Sequence, residues 1–156
     1  MKEDQKSIGR IFPPPLLVMA LFVIGFGLQW IYPFSFQFGF RRYWLIAGIV
    51  LIICSGVIAF KARRVMLCRK TPITFKKPTV TIINNGPFAY SRNPLYLSLV
   101  LLFTGIGIVA DSIWFTLLLV VLILFLNHVI LKEEIYLEQG FGREYLRYKN
   151  TVRRWI

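Results

Sequence analysis

The residues best suited to chemistry fall in two places. The first is an eleven-residue stretch, Gly86-Pro87-Phe88-Ala89-Tyr90-Ser91-Arg92-Asn93-Pro94-Leu95-Tyr96, where a guanidinium, an amide and three aromatic rings are interleaved with two prolines. Proline fixes φ and holds the residue before it extended, so Asn93 is expected outside helical geometry just ahead of a helix that starts at Pro94. The second is Glu133-Glu134, directly after Lys132 and near His128 and Asn127. An ionised group at a hydrocarbon boundary is costly unless paired, so Glu133 is expected to contact Arg92 or a cation brought by a ligand. The two acids equally fit the start of a solvated amphipathic tail, neutralised by the basic loop before it. His128, the sole histidine, stands where it could act as a base or bind a polar headgroup, and a hydrogen-bonded interfacial role fits it as well.

Other chemistries find little support. No second His, Cys or carboxylate stands at metal-ligand spacing from His128, and no Ser or Cys nucleophile has a neighbouring base. The chain has no glycine-rich phosphate loop. Cys54, in an apolar run, and Cys68, in a basic loop, have neither metal nor redox spacing and imply no disulfide.

The elements that must position these groups are membrane spans. Of 156 residues 56% are hydrophobic, and the charges are confined to a few blocks. Pro13-Pro14-Pro15 leads into a first apolar run, 16–31, and three more follow at 43–60, 95–110 and 113–131. At about 1.5 Å per residue the first covers roughly 24 Å of a ~30 Å hydrocarbon core, leaving Ile11, Phe12, Trp30 and Tyr32 as interfacial ends. The Lys and Arg ahead of it resemble a signal-peptide start, but no small-residue cleavage site follows, so it is read as a retained span. Phe34, Phe36, Phe38 and Phe40 alternate through the first loop as an interfacial belt. Ala47, Gly48, Gly56 and Ala59 in the second run would let a neighbouring helix approach closely. Asp111 and Ser112 alone separate the third and fourth runs, which predicts a tight helical hairpin. The tail 132–156 has apolar residues at amphipathic spacing, interrupted by Gly140 and Gly142, and is expected along the headgroup layer.

The fold class expected is therefore an all-α integral membrane protein: about four transmembrane helices and a cytoplasmic amphipathic C-terminal helix in one domain, with loop 61–94 and tail 132–156 forming the site. The net charge of +12 flanks apolar runs instead of forming a soluble basic patch, which favours anionic lipid over nucleic acid as partner. Three Lys and Arg before the first span, eight in the long loop and six in the tail fall on one side, against two on the other. The positive-inside rule then puts both termini, Gly86–Tyr96 and the tail in the cytoplasm. A bacterial inner membrane is the expected location.

The Gly86-Pro87-Phe88 turn, the run Arg92-Asn93-Pro94-Leu95-Tyr96, and Glu133-Glu134 followed by Phe141-Gly142-Arg143-Glu144-Tyr145 and Tyr148 resemble the isoprenylcysteine carboxyl methyltransferase family, which is related to the phospholipid N-methyltransferases. The resemblance covers the C-terminal half, from Thr79. It implies a small helical membrane enzyme that moves a methyl group from S-adenosylmethionine to a lipid-borne or lipophilic acceptor. It further implies that Val80, Thr81, Ile82, Ile83, Phe88, Asn93, Pro94, Leu95, Tyr96 and Glu133 hold the cofactor. Glu133 and Arg92 become the catalytic pair, with His128, Lys132 and Glu134 toward the acceptor. Many family members carry His where this chain has Asn93, and the carboxyl methyltransferases carry Arg one turn before the acid, where this chain has Val129. Two other classes compete. A dimeric four-span exporter would want a carboxylate within the first span, and 16–31 contains none. A non-catalytic scaffold gives no reason for the Arg92–Tyr96 run together with Glu133.

Overall fold

The computed structural model describes residues 13–35, 41–68 and 82–156. Five α-helices account for most of them: α1 Pro14–Ile31, α2 Arg41–Cys68, α3 Pro94–Val109, α4 Ile113–Phe141 and α5 Arg143–Thr151, with a 3₁₀ turn at Gly86–Ala89. Among the described residues there is no strand. The protein is an all-α membrane protein. Three of its helices, α1, α2 and α4, are long and apolar enough to cross a bilayer, and less than a third of each apolar stretch is buried by protein. Their outward faces carry side chains such as Met19, Val23, Ile53 and Leu124, all more than half exposed. In water that would be a liability, whereas against lipid tails it is the matching surface. At 16 residues α3 is shorter, about 24 Å by helical rise.

Several boundaries differ from the sequence expectation. The second apolar run ends at Phe60, but its helix continues to Cys68, so the first residues of the expected long loop are helical. The fourth likewise runs on to Phe141, through Gly140 without a break. Helical propensity and packing carry both past the end of their apolar stretch, because leaving hydrocarbon does not stop a helix. The interruption comes only at Gly142, whose φ of 52° and ψ of −121° are closed to most L residues.

The described residues pack as two compact units. One contains 13–35, 41–57 and Tyr96–Leu126. Its centre is aromatic: Phe115 lies 5.0 Å from Phe26, 5.2 Å from Phe103 and 6.0 Å from Phe22, ring centre to ring centre. Gly25 and Gly107 make room for this residue, since a Cβ on Gly25 would stand 2.9 Å from the ring and one on Gly107 2.6 Å from the Phe115 Cβ. Helices α2 and α3 approach backbone to backbone where Gly48 meets Gly105, as a Cβ on Gly105 would stand 2.8 Å from the Gly48 carbonyl oxygen. Gly56, read with the same group of small residues, has open space beside it. The Ser55 hydroxyl donates to the Ser98 carbonyl at 2.7 Å. The α3–α4 hairpin closes as expected on Asp111, at φ 49°, and Ser112, whose hydroxyl donates to Gln29 Oε1 at 2.7 Å. A cavity of about 590 Å³ opens in this unit, walled by Phe103, Phe115 and Leu119 and bordered by Arg41 and Asp111. The other unit contains 58–68, 82–95 and Asn127–Ile156, with Ala62, Ile83, Val129, Ile130, Tyr145 and Tyr148 buried in it.

Candidate functional site

The unit built on Asn127–Ile156 gathers most of the reactive side chains. Its loop begins with Ile83 tucked inside and turns at Gly86. There φ is +61°, and an added Cβ would press on Val65 at 3.1 Å. Pro87 starts the 3₁₀ turn, and its carbonyl accepts from the Tyr90 and Ser91 amides at 3.2 and 3.1 Å. The Tyr148 hydroxyl donates to the Phe88 carbonyl at 2.7 Å, which ties the turn to α5. Buried Ser91 then accepts the Asn93 amide on its Oγ at 3.1 Å. This local bond competes with helical pairing and keeps Asn93 out of the helix that begins at Pro94, as the proline spacing predicts.

The last residues of the chain lie along this loop. The Arg92 amide donates to the Arg153 carbonyl at 3.0 Å. The Arg154 carbonyl accepts from Asn93 Nδ2 at 3.1 Å and from Ser91 Oγ at 3.4 Å. Trp155 Nε1 donates to Asn127 Oδ1 at 3.1 Å. Asn127 and Glu134 are two helical turns apart on α4 and share a face, with Glu138 one turn further on; Glu138 pairs with Lys149 of α5.

Glu134 is the centre of the site. Its Oε1 receives Arg92 Nη2 at 3.2 Å and Arg154 Nε at 3.0 Å, and its Oε2 receives Arg154 Nη2 at 2.8 Å. The Glu134 and Arg92 side chains are 5% and 9% exposed, whereas Arg154 is 34% exposed. Two guanidinium groups on one carboxylate leave a net positive charge in a mostly buried place. Arg92 Nε and Nη1 are moreover buried without an acceptor. Tyr145 lies beside the trio. Burial pushes its hydroxyl up to about 12, the Glu134 charge adding to the rise and the Arg92 charge opposing it. Burial likewise raises Tyr148. The hydrogen bonds to Glu134 hold Arg154 above its ordinary value. Both tyrosines thus stay protonated at physiological pH. The arrangement suits binding and orientation of a charged ligand: N–H groups for an oxyanion, and on Glu134 Oε2 a lone pair for a cation.

The structure places the expected residues as follows. Val80 and Thr81 lie outside the described residues, as do Phe36, Phe38 and Phe40 of the aromatic loop. Ile82, Phe88, Asn93 and Leu95 are half-buried, and Ile83 and Pro94 are buried, all in the same unit. Tyr96 is half-buried and belongs with 96–126. Glu134 receives Arg92; Glu133 and Lys132 are half-buried, and His128 is exposed. Val129 is fully buried. Ser91, Arg154 and Trp155 escaped the sequence reading as site residues. The only signal for the last two is a basic pair next to a tryptophan at the chain end.

Comparison with known proteins supplies the family. The profile of the phospholipid methyltransferase family matches residues 43–144, more than half of the chain. A protein of Haemophilus influenzae described as an uncharacterized protein is 41% identical over 63 residues, which is 40% of this chain and the whole of that protein. No solved structure matches. The matched region includes the Gly86 turn, Arg92, Asn93 and Glu134, so the residues that build the buried ion cluster from loop and helix lie inside the shared part, and the chain belongs to the phospholipid methyltransferase family.

Proposed function

We propose that this membrane methyltransferase uses S-adenosylmethionine and acts on a lipid-borne or lipophilic acceptor at the cytoplasmic face of a bacterial inner membrane, with both chain termini on that side. The observation that carries the reading is the buried Arg92–Glu134 pair with two further Arg92 donors lacking an acceptor. A zwitterionic amino-acid tail fits such a pair: its carboxylate suits the N–H groups of Arg92, and its ammonium suits the remaining lone pair of Glu134 or the carboxylate of Glu133. Phe88, Leu95 and Tyr96 supply apolar and aromatic surface for a purine, and Ile82 and Ile83 line the chain leading into the turn. When bound, the cofactor supplies an electrophilic methyl group on a sulfonium. The protein's part is then to hold the reactants in line and keep water out, which needs no strong base, in keeping with Tyr145 and Tyr148 staying protonated.

The test is calorimetric binding of S-adenosylmethionine to the detergent-purified protein and to Glu133→Ala, Glu134→Ala and Tyr96→Ala. Wild type is expected to bind below millimolar concentration, with each substitution weakening binding by about tenfold or more. Wild-type protein that does not bind at millimolar cofactor would remove the reading and favour a non-catalytic scaffold. Orientation has its own check: the exposed Cys68 should react with an impermeant thiol reagent from the cytoplasmic side alone.

A further inference from the structure

We propose that Arg154 is a positioning residue that holds Glu134 so that Arg92 is left as a seat for an oxyanion, a carboxylate or a phosphate. Arg154 takes Glu134 side-on with Nε and Nη2, one on each carboxylate oxygen, at 3.0 and 2.8 Å. A carboxylate gripped in this way cannot also turn both oxygens toward Arg92, which meets it through one contact, Nη2 to Oε1 at 3.2 Å, with the Tyr145 hydroxyl also bonded to that guanidinium. Arg92 Nε and Nη1 flank that contact, buried and with no acceptor. An unmet buried N–H carries a desolvation penalty, and native proteins rarely tolerate two on one side chain unless a ligand completes them. The charges agree, since two guanidinium groups on one carboxylate attract an anion. Exposure also orders the three, with Arg92 at 9% inside and Arg154 at 34% on the rim.

The backbone shows why this residue can do the positioning. The Arg154 carbonyl is held by Asn93 Nδ2 and Ser91 Oγ, and the next residue, Trp155, is anchored on Asn127. The chain end is thus attached to the same loop that carries Arg92 and to the same helix face that carries Glu134. It fixes the distance between them.

The carboxylate could come from the cofactor of the proposed function, on which this arm of the inference rests; the phosphate could come from a lipid headgroup, and that arm stands without it. The experiment uses the full chain in detergent. One arm compares S-adenosylhomocysteine, its decarboxylated analogue and 5′-methylthioadenosine, which lacks the amino-acid portion. The other compares short-chain phosphatidic acid with the uncharged diacylglycerol. In one arm or the other, wild type is expected to prefer the oxyanion-bearing ligand by about 10- to 100-fold, the size of a buried charge-assisted contact. Arg92→Gln and Arg154→Ala should each shrink that preference to within about threefold, leaving affinity for the uncharged member unchanged. Arg154→Lys, which keeps the charge without the two-point grip, should recover part of it, and decides the matter if Arg154→Ala does not fold. A wild type with no preference in either arm overturns the seat. So does an Arg154→Ala protein that loses charged and uncharged ligands alike, since that is a structural effect. If no nucleoside binds at all, the cofactor reading fails and the phosphatidic acid arm alone decides the seat.

Discussion

Arg92 Nη2 stands 3.2 Å from Glu134 Oε1, both side chains less than a tenth exposed, and the carboxylate is shared with Arg154. Removing a partner from a buried pair costs more than the pair contributes, because the charge left behind is uncompensated. Glu134→Ala is therefore expected to destabilise the protein by about 3–5 kcal/mol, measured as a fall in the unfolding midpoint in detergent. Leu or Met at both Arg92 and Glu134 should recover much of that stability while abolishing ligand binding, which separates the structural from the functional part of the pair.

Two glycines with positive φ differ in what surrounds them. Gly86 combines φ +61° with a Val65 methyl 3.1 Å from the position of an added Cβ, whereas Gly142 has φ +52° and open space. The Gly86→Ala change should cost about 1–2 kcal/mol for the left-handed backbone, with crowding in addition. It should also weaken cofactor binding, since the turn carries the Phe88 carbonyl that Tyr148 holds. Gly142→Ala lacks the crowding, but its ψ of −121° is outside the left-handed helical well, so about 1–3 kcal/mol of backbone strain is expected without loss of binding affinity. Thermal unfolding together with calorimetry distinguishes the two.

Alkaline stability follows from Tyr145. In the folded protein its hydroxyl holds the proton to about pH 12, against about 10 for a solvated tyrosine in the unfolded chain. Between these values the folded state binds more protons, so the stabilisation is fully present below pH 10 and is lost as pH climbs toward 12. The loss is on the order of 3 kcal/mol. Tyr148, raised in the same direction by burial, adds to it. Unfolding midpoints measured from pH 8 to 12 should decline over this window, and Tyr145→Phe should flatten the decline.

The approach of α2 to α3 at Gly48 and Gly105 leaves no room for a side chain. Gly105→Leu is expected to force the two backbones apart and lower stability by about 1–3 kcal/mol. Gly56→Ala, with nothing within 4 Å of its added Cβ, should cause no loss of stability in the same unfolding assay.

Much of the architecture was legible because a bilayer imposes simple rules. Apolar runs long enough to span, prolines at Pro14 and Pro94, and the two-residue link Asp111-Ser112 mark helices whatever surrounds them, since hydrocarbon leaves the backbone no other partner. The helix ends past Phe60 and Leu131 were not legible, because hydropathy reports where lipid stops and says nothing of where the helix stops. Packing of small residues was half legible: Gly48 meets a neighbour and Gly56 does not, and the rotation of a helix that is apolar on every side leaves no sequence trace.

For the site, the sequence by itself determined that a guanidinium preceding Pro94 and an acid at the end of the fourth apolar run would be present, and that Gly86 would turn the chain just ahead of the guanidinium. Only the tertiary structure shows that Glu134 pairs with Arg92. Adjacent residues on a helix point about 100° apart, so the setting of α4 is what turns Glu134 toward Arg92. Arg154 was beyond reach for a related reason. It meets Glu134 across 20 positions of chain and holds Asn93 across 61, and contacts that distant depend on where α5 and the chain end come to rest, which no local spacing encodes.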